Sequence, residues 1–224
     1  MTTLTTKVLQ VTGITTSLLS AGALLAFNFF DIPILKSQPA SRSLPSVRWF
    51  FSRGSHIFPQ AALVSSGAFL CLAYTAQPAQ SSGLTIAQLL KHGRVSGYLA
   101  AAALAFAIAP FTAFAMVPHP NFDIIQLNKD LGGAASQKQR KLQQRQGVSD
   151  EQLKNSGGPP DVDGDYQLSE FKDMSGPMEK TERESTPEQD QKARTLLEDF
   201  RKLNMVRALL MLGSGVVGLV VAAA

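Results

Sequence analysis

Charge disappears from this chain in long blocks. No charged residue occurs over positions 8–30, 54–90 or 95–122, and positions 203–224 carry Arg207 alone. About 20 apolar residues cross a hydrocarbon core, so the pattern predicts four spans, at about 8–30, 57–76, 95–117 and 203–223. The expected fold is all-α: a four-helix transmembrane bundle, with residues 1–224 forming a single integral membrane domain. The first block is longer than the ~7–15-residue core of a cleaved secretory signal. Only Lys7 precedes it, so it reads as an uncleaved signal anchor.

Small residues recur four apart within these blocks: Gly13, Ser17 and Ala21; Gly97, Ala101, Ala105 and Ala109; Ser214, Gly218 and Ala222. That spacing lets helices approach closely in lipid. Polar residues concentrate in a hydrophilic loop between helices three and four, residues 123–202, which holds 16 of the 17 acidic and 13 of the 21 basic side chains. Its Pro/Gly/Asp-rich centre, 155–165, cannot bury a core, and the loop is expected to be largely disordered. Thr186, Pro187 and Gln189 then form a helix-start signature: a cap, a proline in the first turn, and a glutamine three residues after the cap.

Beyond that start, Ala193, Leu196, Phe200, Asn204, Arg207, Met211, Ser214 and Gly218 recur at steps of three and four. They share one helix face with the small residues, so Asn204 and Arg207 are expected to point into the bundle. The alternative is an arginine that snorkels to the interface beside Arg201 and Lys202. A charge near a span centre costs roughly 2.5–3.5 kcal/mol on insertion scales, which makes Arg207 the first functional suspect.

The net charge of +4 comes from basic residues flanking the spans, and no nucleic-acid partner is expected. Lys36, Arg42, Arg48 and Arg53 with the third loop outweigh Lys7, Lys91 and Arg94, which puts the first and third loops on the cytosolic side. A multi-pass protein with a signal anchor defaults to the endoplasmic reticulum. Lone Cys71 cannot form an internal disulfide and reads as a small packing residue. There is no Walker loop, dinucleotide fingerprint, zincin pair or serine elbow. His56, His92 and His119 have no ligand spacing, so no metal is expected.

Four antiparallel spans bring the end of helix one, the start of two, the end of three and the start of four to one membrane face. The unusual residues fall at those ends: Asn28 and Asp31; Trp49, Arg53 and His56; Thr112, His119 and Asn121; Asn204 and Arg207. A single pocket at one end of the bundle follows.

Trp49, Gly54 and Pro59 at five-residue steps, Ala-Pro-Phe-Thr at 109–112 with Met116 and Asn121 downstream, and Leu203, Asn204 and Arg207 together resemble the anthrone oxygenases of fungal polyketide pathways. The hydrophilic stretch 130–184 has no counterpart in the resemblance and reads as an insertion. The resemblance implies oxidation of an anthrone to an anthraquinone by molecular oxygen, without flavin, haem or metal, in aromatic polyketide biosynthesis. The implied partners are a small aromatic polyketide substrate, membrane lipid, and other enzymes of the pathway. Such chemistry needs a base and a positive group for the developing oxyanion. Arg207 with Asn204 would hold the enolate oxygen, and His119 or His56 would take the methylene proton. Trp49, with Asn121, Thr112 and Asn28, would bind the substrate. The alternative function is a non-catalytic membrane scaffold or assembly factor recruiting a partner through the third loop. A small transporter is the third class, hinted at only by Pro110.

Overall fold

The computed structural model describes residues 3–77, 93–145 and 174–224. All regular structure among them is helical: α1 (Thr3–Ala26), a π-helical turn (Phe27–Asp31), α2 (Ile32–Lys36), α3 (Ala40–Thr75), α4 (Gly93–Phe106), α5 (Ile108–Phe111), a π-helical stretch (Thr112–Asn121), α6 (Phe122–Asp130), α7 (Gln137–Arg145) and α8 (Pro187–Ala223). Four continuous helical stretches, Thr3–Lys36, Ala40–Thr75, Gly93–Asp130 and Pro187–Ala223, are long and apolar enough to cross a membrane. This is the four-span, all-α architecture expected of a multi-pass integral membrane protein. The expectations placed on Lys91, on His92 and on the centre of the third loop, 155–165, lie outside the described residues.

The chain folds as two compact units. The first comprises Met1–Ala26, Phe58–Thr112 and Asn204–Ala224. Small residues bring its helices together. The fully buried ring of Phe69 on α3 packs on Gly13 of α1 and Gly218 of α8, where a Cβ would stand 3.0 and 2.5 Å from ring carbons. Ser214 donates to the Ala101 carbonyl at 2.8 Å and lies 3.3 Å from the Ser17 hydroxyl, so one buried side chain ties three helices. Gln10 adds a bond to the Tyr98 hydroxyl. The small-residue stripe of the third span differs in one place. Its buried face runs through Ala101, Ala105 and Ile108, the ordinary helical step, so Ile108 is buried while Ala109 faces outward. Cys71 is also exposed, on the outer side of α3, and does not fill the interior.

The second unit comprises Phe27–Ile57 and Ala113–Leu203. Residues 40–56, ahead of the second span expected at about 57–76, are the first turns of α3, so the helix begins well before the apolar run. Pro45 explains why this helix was hard to see. A proline inside a helix cannot donate to the carbonyl four residues back. Here that carbonyl belongs to Ser41, and it accepts the Thr181 N–H at 2.7 Å instead. Asp190 of α8 accepts the Ala40 N–H at 2.7 Å, which caps α3 from outside.

Thr181 belongs to the segment 174–186, which has no regular structure, bends at 179–180 and 182–183, and is bound along its length. The Trp49 indole donates to the Ser175 carbonyl at 3.1 Å, Gln137 N–H to the Gly176 carbonyl at 3.1 Å, and Arg183 N–H to the Leu131 carbonyl at 3.0 Å. Glu184 accepts from Lys180 at 2.8 Å and from the Ser41 hydroxyl at 3.1 Å. Those bonds hold its carboxyl below the usual 4.5. The described ends of the third loop are thus helical or pinned to α3 and α6. The start of α8 is as the sequence indicates: Thr186 N–H donates to Gln189 Oε1 at 2.9 Å, and Gln189 N–H returns to the Thr186 hydroxyl at 3.4 Å.

Candidate functional site

The face of α8 predicted to point inward is buried at every expected position, Ala193, Leu196 and Phe200 in the second unit and Asn204 through Gly218 in the first. Asn204 is 1 % exposed and Arg207 8 %. Asn204 donates through Nδ2 to the Leu24 carbonyl at 3.3 Å and accepts from an Arg207 terminal nitrogen at 3.3 Å. Leu24 lies just before the widened turn at Phe27–Asp31, where the α-helical ladder is interrupted. The guanidinium of Arg207 sits 5.3 Å from the ring centroid of Phe58, a cation–π contact. Leu24, Ala105, Ile108, Ala208 and Met211 form the apolar core of this region. A planar cation backed by an aromatic face and bonded to the Asn204 amide beside an apolar cluster suits a group that receives developing negative charge. Thr112 closes this unit, and its buried hydroxyl has no hydrogen-bond partner among the described residues.

In the second unit, Asn28 is fully buried in the first π turn, and Met116 and Asn121 are buried in the second π stretch. Asn121 Oδ1 is buried with no hydrogen-bond partner among the described residues. The Pro118-His119-Pro120 sequence breaks that stretch: the residue before a proline is driven to extended backbone, and His119 has φ −158° and ψ 130°. His119 is largely exposed. Its Nδ1 lies 2.5 Å from Asp123 Oδ2, and its Nε2 lies 3.8 Å from Asp199. His56 Nδ1 lies 2.7 Å from the Ser52 carbonyl, which requires a proton on Nδ1 and leaves the basic lone pair of the neutral ring on Nε2.

Trp49 is half-buried, with Arg53 5.4 Å over its ring. It starts a chain of aromatic contacts. Trp49 meets Phe50 at 5.5 Å, Phe50 meets Phe27 at 4.8 Å, Phe27 meets Phe200 at 5.7 Å, and Phe200 meets Phe51 at 5.0 Å. Of the eight predicted site residues, Asn204 and Arg207 are hydrogen-bonded to each other in the first unit, which also holds Thr112, and the other five, Asn28, Trp49, His56, His119 and Asn121, belong to the second unit. Among the described residues, no group of three or more His, Cys, Asp or Glu is arranged to hold a metal ion.

The family model that matches the chain is that of anthrone oxygenase, over residues 48–152. That stretch is an anthrone oxygenase family domain. No curated protein and no solved structure matches the chain. The anthrone oxygenase domain takes in Trp49, His56, Thr112, His119 and Asn121, and leaves Asn28, Asn204 and Arg207 outside the matched residues. Sequence reasoning missed Phe58, Asp123 and Asp199. Asp123 had a signal, since it stands four residues after His119 on the chain. Phe58 had none, because a phenylalanine in an apolar span looks the same whether it meets an arginine or lipid.

Proposed function

We propose that this protein, with its anthrone oxygenase family domain at 48–152, oxidises an anthrone to an anthraquinone with molecular oxygen, in aromatic polyketide biosynthesis. The observation that carries the reading is the family match over residues 48–152. The buried Arg207–Asn204 pair supports it chemically. An anthrone is a flat phenolic ketone whose doubly benzylic methylene is acidic for a carbon acid. A base removes one methylene proton, and the enolate passes an electron to oxygen. One oxygen atom ends as the new carbonyl, and the other leaves with both methylene hydrogens as water, so the four-electron oxidation balances one molecule of oxygen with no other reductant or cofactor.

In this proposal Arg207, oriented by Asn204 and Phe58, holds the enolate oxygen. Arginine suits the role because its charge persists in apolar surroundings where a lysine could lose its proton. His56 and His119 are the two imidazoles proposed for proton removal, and Trp49, Asn121, Thr112 and Asn28 are proposed to bind substrate. The proposed location is the endoplasmic reticulum membrane, with other pathway enzymes as neighbours.

The test is oxygen uptake by the purified, metal-stripped protein in detergent with emodin anthrone, with anthraquinone quantified and empty-vector membranes as background. Uptake above background that survives chelation is the expected result. Uptake lost on chelation and restored by one metal would keep the oxygenase and overturn the cofactor-free chemistry. No uptake with several anthrones would overturn the activity itself.

A further inference from the structure

The helix α7, Gln137–Arg145, carries four cations and no carboxylate, and none of its residues is fully buried. It adds nothing to an apolar core, so its sequence calls for another account. Its two sides differ. Gln139, Arg140 and Gln143 are half-buried against the second unit, where Arg140 pairs with Glu182. Lys138, Lys141, Leu142 and Arg145 are exposed, and their helical spacing places them in one stripe along the outer side.

The charge in that stripe is not consumed within the protein. Unlike Arg140, the side chains of Lys138, Lys141 and Arg145 make no hydrogen bond or ion pair among the described residues. Between them Leu142 is 45 % exposed. Long basic stems beside an outward leucine suit a surface that is apolar beneath and anionic on top.

The helix is also held at the depth where such a surface lies. Ser175 accepts the Trp49 indole N–H at its carbonyl, at 3.1 Å, and the Lys138 backbone N–H at its hydroxyl, at 3.2 Å, so the start of α7 is fixed near Trp49 of α3. The exposed large apolar side chains of α3 begin at Ile57. The helical rise from Trp49 to Ile57 is about 12 Å. Headgroups add about 5–7 Å on each side of the hydrocarbon core, which leaves the start of α7 about 5–7 Å beyond them, inside the ~8 Å Debye length of physiological salt. The charge count of the loops puts this end of α3 on the cytosolic side, where the leaflet is anionic.

We propose that the outer stripe of α7, Lys138, Lys141 and Arg145 around Leu142, docks on anionic lipid of the adjoining membrane leaflet. Charge complementarity selects that occupant: three unspent cations stand within electrostatic range of the headgroups, and the helix carries no acid to repel them.

The intact protein is reconstituted in phosphatidylcholine liposomes with trace lipid dansylated on an acyl chain, bearing either a phosphatidylserine or a phosphatidylcholine headgroup. Energy transfer from Trp49, the one tryptophan in the chain, reads which lipid gathers beside α7. One cation near the surface favours anionic lipid about fivefold, so phosphatidylserine should be preferred by at least about fivefold at ~0.1 M salt. At ~1 M salt, where the Debye length is ~3 Å, the preference should collapse. Lys138→Gln, Lys141→Gln and Arg145→Gln combined should abolish it, with helix content kept because glutamine is a good helix former. Lys192→Gln with Arg194→Gln, which removes two exposed cations from α8, should leave it intact. If the triple variant fails to fold, the three single substitutions carry the comparison, and each should lower the preference. No preference in the wild type overturns the proposal, and so does a preference that none of the α7 substitutions lowers. A preference that emerges only after residues 153–173 are replaced by a Gly/Ser linker would assign the stripe to the acidic part of the chain's own loop, and would overturn lipid as its occupant.

Discussion

Replacing Arg207 by lysine keeps a positive charge but removes the planar fork that reaches Asn204 and lies over Phe58. If Arg207 holds the enolate oxygen, Arg207→Lys and Arg207→Ala should each lower kcat for anthrone oxidation by about 10²-fold or more, the usual cost of losing an oxyanion donor. Asn204→Ala, which removes only the orienting amide, should cost about 10-fold, or ~1.4 kcal/mol of transition-state stabilisation. Oxygen-uptake kinetics on protein whose helix content is unchanged checks both, and normal turnover in Arg207→Lys would remove the role. A purely structural position gives a second test. Gly218 faces the buried Phe69 ring at a distance a methyl cannot share, and Gly13 closes the ring's other side. Gly218→Ala should therefore destabilise the protein by about 1–3 kcal/mol, as overpacking does, and thermal melting measures it. At this scale the sequence revealed residues that are out of place in their surroundings. Arg207 and Asn204 interrupt an apolar run, so they could be read. Phe58 could not: it has the same composition signal as Phe114, which is 83 % exposed. Asp199 was equally invisible as a partner of His119, because 80 positions separate them and only the fold joins them.

Elements were legible where the local code is self-contained. The Thr186–Gln189 capping box was readable because both partners lie within four residues, and it stands in the structure as written. The four apolar runs were readable because hydrocarbon imposes their length. The π turns were not, since nothing in Phe27–Asp31 or in residues 112–117 marks a widened helix. The early start of α3, ahead of its apolar run, was hidden for a different reason. The charges and Pro45 of its first turns resemble a loop, and the compensating bond to the Ser41 carbonyl comes from Thr181, far along the chain. The segment that supplies this bond gives a prediction with a clear sign. Glu184 has its carboxyl held below 4.5 in the folded protein by Lys180 and Ser41. A depressed carboxyl stabilises docking above its unfolded pKa, and that stabilisation is lost as pH falls through the folded value. Trp49, the one tryptophan in the chain, donates to Ser175 of the same segment and so reports on it. Its emission should be constant from pH 8 to about 5 and shift to the red below pH 4.5. Glu184→Gln should show a weakened, red-shifted baseline at neutral pH. Emission independent of both pH and the substitution would show that Glu184 does not hold the segment.

At the scale of the molecule, the expectation was an undivided bundle with a long appended loop. The described chain groups into two compact units, and α3 and α8 each contribute residues to both. Hydropathy could not anticipate this, because it detects what hydrocarbon requires and is silent on how polar residues pack with one another. The second unit is made largely from polar segments held by backbone bonds such as Thr181 to Ser41 and Arg183 to Leu131, whose partners are distant in sequence. This changes what truncation of the third loop should do. Removing residues 155–184 as dispensable would also remove Ser175, which binds Trp49, and Thr181 and Glu184, which bind the Ser41 carbonyl and hydroxyl. The family domain ends at 152, and the bound segment begins at 174. Replacing residues 153–173 with a Gly/Ser linker of equal length should therefore leave both anthrone oxidation and the Trp49 emission unchanged. Replacing 174–184 in the same way should shift that emission to the red and lower the melting temperature, by about 2–4 °C for each kcal/mol lost. Assaying the two replacements side by side separates the oxygenase from a recruiting scaffold. An oxygenase keeps its turnover through the first replacement. A scaffold working through this loop would show no anthrone turnover in any form of the protein and would lose its pathway function with the first replacement alone.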